Sequence, residues 1–411
     1  MSTVLILLDA FRSDYLCKQN TPFLYNLSNE GEYYKTVTQS YGFCERTEIL
    51  SGNPGVSSGY FTAIGYSPEH SPFSKFRLLK IFEIWENILL MAVNLLPLKL
   101  GSKIHRLFRM LVNEYCKRNG SSMPIYNIPL SFLKYFSFTE DRVDMREAPS
   151  SILELLTKSG KSYFYDSFTS LGFESLYKTD ISRLDAVHLD ITQNKPKDFY
   201  LIYISAPDVY GHKYGPYSIE LKSQLLSMDK MLANFVQKVE QSCPGNIYFF
   251  VGDHGMLGVQ KQINVERELI RFAAEFNLTL KKDFIYFLDS TMVRIWALNQ
   301  KALVILNNLK SNAGQMHQDG DWVDVDLANN FKIPWPNRKY GDMLWLAKPG
   351  VLVSPDFFHK NNVCKGMHGY DPDFPGCQGM CIKWSKTIRH REFSSLNLSD
   401  TYFLLKKSLN L

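Results

Sequence analysis

Three separate apolar runs in this chain each deliver an aspartate at or just beyond their carboxyl end, and no other feature constrains the fold as much. Val4–Leu8 leads into Asp9, Phe199–Ser205 leads through Ala206 and Pro207 into Asp208, and Asn246–Val251 leads through Gly252 into Asp253. Short, continuous apolar runs rich in branched and aromatic residues are the signature of strands covered on both faces. Between the second and third runs, Ile219, Leu225, Met228, Leu232, Phe235 and Val239 recur at helical spacing. A strand, a helix and a strand in that order imply a parallel crossover. In open parallel sheets, ligands bind outside the carboxyl ends of the strands. The expected fold class is α/β, a three-layer sandwich with a mostly parallel central sheet, the whole of 1–411 forming one catalytic domain.

Two stretches depart from that pattern and are expected to be insertions. The first, 74–134, is helical, basic and apolar: from Lys75 to Arg118 it carries nine Lys/Arg against three Glu, with the apolar run Ile88–Pro97. It is expected to be a cap on the core, an entrance for an anionic substrate, or a peripheral contact with an anionic membrane surface through 74–118. The second, 260–337, is a small α+β unit in which Phe284–Leu288 and Met292–Ala297 form a hairpin around Asp289.

Two of the three aspartates have a histidine close by, Asp208 with His212 and Asp253 with His254, and His368 stands among turn residues. Taken singly, an aspartate after a strand is ordinarily a cap or turn residue, and a histidine is ordinarily structural. Together they need another explanation, because crowded carboxylates repel unless cations neutralise them. A mixed carboxylate and imidazole set suits zinc, with manganese as the alternative, better than magnesium or calcium. Two divalent ions about 4 Å apart can clamp the attacking and leaving oxygens of a phosphoryl transfer. A glycine beside each histidine is expected to make the tight turns that aim the rings inward.

These pieces resemble a known family. Leu8-Asp9-Ala10-Phe11-Arg12-Ser13-Asp14, the run from Ala206 to Pro216, Val251-Gly252-Asp253-His254-Gly255-Met256 and Gly366-Met367-His368-Gly369-Tyr370-Asp371 are similar to the metal-ligand motifs of type I phosphodiesterases/nucleotide pyrophosphatases, in the alkaline phosphatase superfamily. Lys339–Gly350 is similar to a strand-loop segment before the last histidine of those enzymes, and the matches span residues 5 to about 371. The resemblance implies an alkaline phosphatase-like sandwich with two metals. Asp208, His212 and His368 would hold one ion, and Asp9, Asp253 and His254 the other.

The nucleophile departs from the family pattern, in which a Thr or Ser opens a helix about ten residues before a Thr-Gly or Ser-Gly pair. Here the pair is Ser51-Gly52, and the gapless register falls on Gly42, which has no side chain to attack with. Cys44, reached by a two-residue deletion, and Thr47 are the candidate nucleophiles, with water as the third possibility. The Cys-x-Pro-Ser-Arg signature of sulfatases is absent. Arg46 and Lys213 lie next to the site motifs and are expected to contact a phosphate oxygen, a solvated surface role being the alternative.

The expected activity is displacement at phosphorus in a phosphodiester or pyrophosphate-like substrate, by hydrolysis or by transfer to an alcohol. A sulfate- or phosphonate-ester hydrolase and a metal-binding pseudoenzyme without a nucleophile are the alternatives. The substrate is expected to be a small-molecule or lipid-linked phosphate ester. The net charge of +5 is too mild to point to nucleic acid. Seven cysteines, an odd number, do not make a disulfide framework. The apolar start carries no basic leader, and no run reaches about 18 apolar residues. A cytoplasmic enzyme, peripheral to a membrane at most, is expected. Cys364, His368, Cys377 and Cys381 fit a structural zinc site poorly. Gln318–Asp326 lacks calcium-loop spacing and is expected to be a turn followed by an alternating strand.

Overall fold

In the strand Thr3–Leu8, Val4, Ile6 and Leu8 pack on one side of a sheet while Leu5 and Leu7 pack on the other, and all five are buried. This period-two division runs through the central sheet and sorts the helices into two layers. The computed structural model describes residues 2–93, 98–121, 123–139, 150–166, 179–193, 196–312, 314–359 and 364–411. The expected insertions therefore lie partly outside the described residues, at 94–97 and 122 in the first and at 313 in the second.

The strands used below are β1 (Thr3–Leu8), β2 (Glu32–Thr38), β3 (Tyr163–Tyr165), β4 (Phe199–Ile204), β5 (Ile247–Gly252), β6 (Phe284–Leu288), β7 (Met292–Ala297), β8 (Gly320–Trp322), β9 (Met343–Ala347), β10 (Gly379–Trp384) and β11 (Arg391–Asn397). The helices are α1 (Pro22–Glu30), α2 (Glu45–Ser51), α3 (Leu79–Val93), α4 (Leu98–Arg118), α5 (Ile152–Lys158), α6 (Asp180–Gln193), α7 (Ala206–Tyr214), α8 (Ile219–Ser242) and α9 (Thr401–Leu409).

The central sheet has seven strands in the order β11-β2-β10-β5-β1-β4-β3, and β10 alone runs against the others. One face carries α1, α6 and α8 through Leu24, Val187, Leu225 and Leu232. The opposite face carries α2, α5 and α9 through Ile49, Leu153 and Leu405. Helix α8 starts where Ser218 accepts a hydrogen bond from the Leu221 amide, an N-cap that satisfies an otherwise orphaned donor. Its apolar stripe then closes the parallel crossover between β4 and β5. The architecture is the expected three-layer sandwich.

A second, antiparallel sheet has the order β6-β7-β9-β8. Its third strand, β9, lies beyond the expected 260–337 span. The Gln318–Asp326 stretch differs from expectation. Gln318 and Asp319 end a helix, β8 covers three residues, and Asp324 caps a new helix, Val325–Asn330, by accepting from the Leu327 amide. Asp324 is a capping residue, and capping competes with strand extension.

Helices α3 and α4 pack on each other through Phe82, whose ring meets those of Phe108 and Tyr115 edge-on. Between them Glu86 is buried and accepts from Arg109 Nη1 at 2.7 Å, with His105 Nε2 at 3.0 Å. Arg109 Nη2 also donates to the carbonyls of Tyr126 and Ile128, both at 2.8 Å. Outside, Ile81, Ile84, Trp85 and Ile88 on α3 and Leu100, Leu107 and Leu111 on α4 are exposed. The pair thus buries an apolar, largely aromatic contact and one ion-pair cluster, and in addition leaves a set of apolar side chains exposed outside. No helix among the described residues is long and apolar enough to cross a membrane.

Candidate metal centre

The register of the central sheet makes the site. Leu8 of β1 lies level with Ile204 of β4 and with Gly252 of β5, so three carboxyl ends finish side by side. Asp9 and Asp253 follow directly, and Asp208 sits in the first turn of α7. After Asp9 the chain turns through Ala10, a non-glycine residue at φ 55°, and this aims the Ala10 amide at Asp253 Oδ1, 3.1 Å away. A strained backbone at such a place has local cause: it holds a carboxylate that the rest of the site uses.

All six expected ligands converge in two groups. In each of the sets Asp208, His212, His368 and Asp9, Asp253, His254, one ligand atom from every residue lies within 4.8 Å of the others. Asp208 Oδ1 is 3.1 Å from His212 Nε2 and 3.5 Å from His368 Nε2. His254 Nε2 is 3.2 Å from Asp9 Oδ1 and 3.8 Å from Asp253 Oδ1. The two groups adjoin, since the His254 and His368 rings stack at 4.1 Å.

The surroundings orient the ligand atoms. His212 Nδ1 contacts the Gly366 carbonyl and His254 Nδ1 the Gly255 carbonyl, both at 2.9 Å. With Nδ1 donating there, Nε2 is left as the free lone pair, the tautomer a metal requires. Tyr203 donates its hydroxyl to Asp9, and the His254 amide joins Ala10 on Asp253. Asp208 Oδ1 and His368 Nδ1 are buried without a hydrogen bond. Of the two, Asp208 Oδ1 is an acceptor, and a buried acceptor is costly unless something else binds it. The nitrogen and oxygen donor set, three side chains per group, fits a zinc-type ion at each.

The charges show the same strain. Burial, then the charge of Asp208, pushes Asp9 up, and burial pushes Asp253 up to about 7. Burial is the largest single influence and would lower His254 and His212. The charge of Asp253 together with Asp9 at His254, and the charge and hydrogen bond of Asp208 at His212, jointly outweigh it and raise both well above the usual histidine range. Burial, then the charge of His254, pulls His368 down. In the metal-free site, protons balance the carboxylates. Cation binding displaces them, so uptake strengthens as pH rises.

The glycines depart from expectation at two histidines. Gly255, beside His254, has no left-handed φ but serves close packing, a Cβ there standing 2.1 Å from the Gly376 carbonyl oxygen. Asp208 and His212 lie one turn apart in α7, so Gly211 is helical and makes no turn. It is glycine because α7 passes close to the loop after β5: a Cβ there would stand 2.3 Å from Met256 Sδ. Gly369 does make a turn, at φ +82°, and a Cβ there would meet the Phe43 ring at 2.4 Å.

At the start of α2, Cys44 is the N-cap and 1% exposed, and Thr47 is buried in the next turn. A Cβ on Gly55 would lie 3.7 Å from Cys44 Sγ. Glu45, missed in the sequence, is half-buried, and its charge helps raise His254. The signal was an acidic residue in the first helical turn beside the register gap, which an ordinary helix-dipole role also explains. Arg46 follows it on α2. Lys213 is exposed, with its ammonium 4.7 Å from the centre of the Tyr214 ring. Cys364, taken in the sequence as a weak zinc ligand, hydrogen-bonds His212 and His359, which lower it to about 7 against the effect of burial. Cys377 and Cys381 belong to no metal-capable group among the described residues.

Comparison with known proteins agrees with this geometry. A family model described as type I phosphodiesterase / nucleotide pyrophosphatase matches residues 117–371. Venom phosphodiesterase 2 of Crotalus adamanteus is 28% identical over 240 residues, 54% of this chain and 27% of the venom protein. The chain thus matches about a quarter of the length of that relative. The mouse bis(5'-adenosyl)-triphosphatase enpp4 is 22% identical over 419 residues, covering 99% of this chain and 77% of the relative. Human ectonucleotide pyrophosphatase / phosphodiesterase 5 shares the fold, with a TM-score of 0.68 at 15% identity over 100% of this chain and 95% of that one. An inactive variant of the murine protein, solved in complex with AMP, superposes with a TM-score of 0.65 at 15% identity, again over 100% and 95% of the two chains.

Proposed function

Because this chain belongs to the type I phosphodiesterase / nucleotide pyrophosphatase family of the alkaline phosphatase superfamily, we propose that it is a metal-dependent enzyme acting on a phosphodiester or pyrophosphate-like bond, by hydrolysis or by transfer to an alcohol. One observation carries the reading: two adjoining Asp/His triads at the carboxyl ends of three parallel strands. Asp208, His212 and His368 would hold one divalent ion, and Asp9, Asp253 and His254 the other. Bound there, the ions supply charge neutralisation on both sides of the reacting phosphorus. The protein's own part is to keep the ligands aimed. Tyr203 fixes Asp9, the Ala10 and His254 amides fix Asp253, and two backbone carbonyls fix the rings of His212 and His254. Cys44 and Thr47 remain the side-chain candidates for attack, with water as the third.

The AMP seen in the murine relative and the triphosphate named for the mouse relative support a small-molecule phosphate ester as the substrate, and a lipid-linked one fits the same chemistry. Gly42, in place of the family nucleophile, favours a second reading, a metal-binding pseudoenzyme. One experiment separates the two. The purified protein is expected to carry about two ions per chain, zinc or manganese, and to turn over an aryl phosphodiester. A chelator should abolish turnover and either metal should restore it. Metal binding without turnover of any phosphodiester, pyrophosphate or sulfate ester would favour the pseudoenzyme. Neither metal nor turnover would end the phosphodiesterase reading.

We also propose that the α3–α4 pair lies on an anionic membrane surface. Its exposed apolar stripes lie in a segment with nine Lys/Arg against three Glu, the charge complement of acidic lipid. The protein should float with phosphatidylcholine vesicles that contain phosphatidylglycerol and not with those that lack it. The double change Trp85→Glu, Leu107→Glu, at exposed positions, should abolish flotation. Unaltered flotation, or a dimer that the change splits with no vesicle binding by either form, would refute the assignment.

A further inference from the structure

We propose that the buried turn Asp289-Ser290-Thr291, between β6 and β7, holds two members of the Asp208, His212, His368 group in place. Ser290 acts on His212 through a relay of side chains, and Thr291 acts on His368 through the backbone. This rests on the metal-dependent reading and deepens it, because it gives the second sheet a part in metal binding. Ser290, Thr291, Asp356, His359 and Cys364 are then positioning residues.

Hairpin turns ordinarily lie at the surface, since a buried one must find partners for its polar groups inside the protein. This turn is buried, with Ser290 2% and Thr291 0% exposed. Asp289 accepts from Arg294 Nε at 2.9 Å, which ties the turn to β7. The Thr291 carbonyl accepts from the Ala347 amide and the Ser290 carbonyl from the Val353 amide, at 2.8 and 2.9 Å, which ties it to the end of β9 and the chain just beyond. The two hydroxyls are left to reach the loops beside the ligands.

Ser290 Oγ donates to Asp356 Oδ2 at 2.8 Å and lies 3.2 Å from His359 Nδ1. Asp356 is 2% exposed, and its Oδ1 accepts the amides of Phe358 and His359. Held on both oxygens, it stands with Oδ2 3.3 Å from His359 Nδ1. A carboxylate and a hydroxyl at one ring nitrogen fix a histidine's tautomer and orientation. The Cys364 thiol hydrogen-bonds that ring and the His212 ring, whose centres are 6.0 Å apart. His212 is thus held by the Gly366 carbonyl and by this relay.

Thr291 Oγ1 donates to the Gly369 carbonyl at 2.9 Å. Gly369 follows His368 directly, and its φ of +82° sets how the chain leaves that histidine. His368 Nδ1 has no hydrogen bond, so this ring takes no orientation from its second nitrogen, unlike those of His212 and His254. Its backbone must supply that, along with the Phe43 and His254 rings packed on it. Among the described residues, the turn makes no hydrogen bond to Asp9, Asp253 or His254. Its effect should therefore fall on one group and spare the other.

The test titrates zinc into the metal-free protein against a chromogenic chelator, which reports the affinity of each ion without any substrate. In Thr291→Val and in His359→Ala, one ion should be held about tenfold to a hundredfold more weakly and the other within about twofold of wild type. Thr291→Ser keeps the hydroxyl and should hold both ions as wild type does. Thr21→Val removes an equally buried hydroxyl, bonded to the Tyr15 carbonyl at 3.0 Å ahead of α1, and should leave both ions unchanged. His359 is only half-buried, so its variant decides the matter should Thr291→Val fail to fold. Unchanged affinity in either variant, an equal loss at both ions, or a Thr291→Ser protein as weak as Thr291→Val overturns the proposal. Wild-type protein that binds no ion overturns the metal-dependent reading and the proposal with it. Unchanged variants of a protein that does bind metal overturn the proposal alone.

Discussion

Asp253→Ala will lower phosphodiester turnover by about a thousandfold or more, roughly 4 kcal/mol of barrier, and the protein will stay folded. The functional half follows from position. Asp253 is 5% exposed, accepts the Ala10 and His254 amides, and shares its metal-capable group with Asp9 and His254. Its loss leaves two protein ligands where a zinc-type site needs three. The stability half follows from its charge. Burial raises the Asp253 carboxyl from 3.8 to about 7, so the metal-free protein loses folding free energy as pH rises between those two values, and the whole cost is present above about 7. Removing the group relieves that cost, while freeing two amides costs about 1–3 kcal/mol each if water does not reach them. The two effects oppose each other, and the thermal midpoint without metal should move far less than the rate. His212→Ala, in the other triad, should lose turnover to the same degree. Circular dichroism and turnover on the same preparations decide the matter. Either variant within about tenfold of wild type, a barrier change of only about 1.4 kcal/mol, would mean that the ligands are wrongly assigned.

The side chains that gather in the two metal-capable groups were named from the sequence in two ways: Asp9 and Asp253 from topology, and the full set through the family resemblance. A buried parallel strand announces itself as an apolar run, and the residue after it must lie at the sheet's carboxyl edge. Asp9 and Asp253 needed no more than that. His212 was found for a partly mistaken reason. The turn expected at Gly211 is a turn of helix, and the glycine serves the close passage of Met256. Local spacing in a sequence does not distinguish a residue that bends the chain from one that makes room for another segment. The same limit hid the second sheet's true extent, since β9 joins β7 and β8 by long-range pairing. It also hid the reach of the 289–291 turn, whose Ser290 and Thr291 meet Asp356 and Gly369 far along the chain. The exposed apolar side chains of α3 and α4 were visible only as a basic, apolar stretch. Which face is buried depends on Glu86, His105 and Arg109 meeting across the pair.

Glu45→Gln will slow turnover about a hundredfold, roughly 2.7 kcal/mol, while Cys44→Ala and Thr47→Ala will each stay within about tenfold of wild type. An attacking group must reach the substrate. Cys44 is 1% exposed and lies toward Gly55, and Thr47 is 4% exposed in the turn behind it. A fully buried thiol behaves as a small apolar side chain. Glu45 differs on both counts: it is half-buried, and its charge acts on His254, a member of the Asp9 and Asp253 group. A carboxylate at that place can take the proton of an attacking water, which general-base catalysis rewards by about 10²–10⁴-fold. With water attacking directly, no covalent phosphoryl-enzyme forms, and rapid quench in a single turnover should trap none. Glutamine keeps the size and hydrogen-bonding reach of Glu45 and removes its charge and basicity together, so a packing defect would not produce the same loss. The pH profile gives the independent readout, because the acidic limb of kcat should flatten in Glu45→Gln if that carboxylate is the base. A trapped phosphoryl group on Cys44, together with full activity in Glu45→Gln, would return the attack to the thiol. A trapped adduct on Thr47 would place it one turn along the same helix.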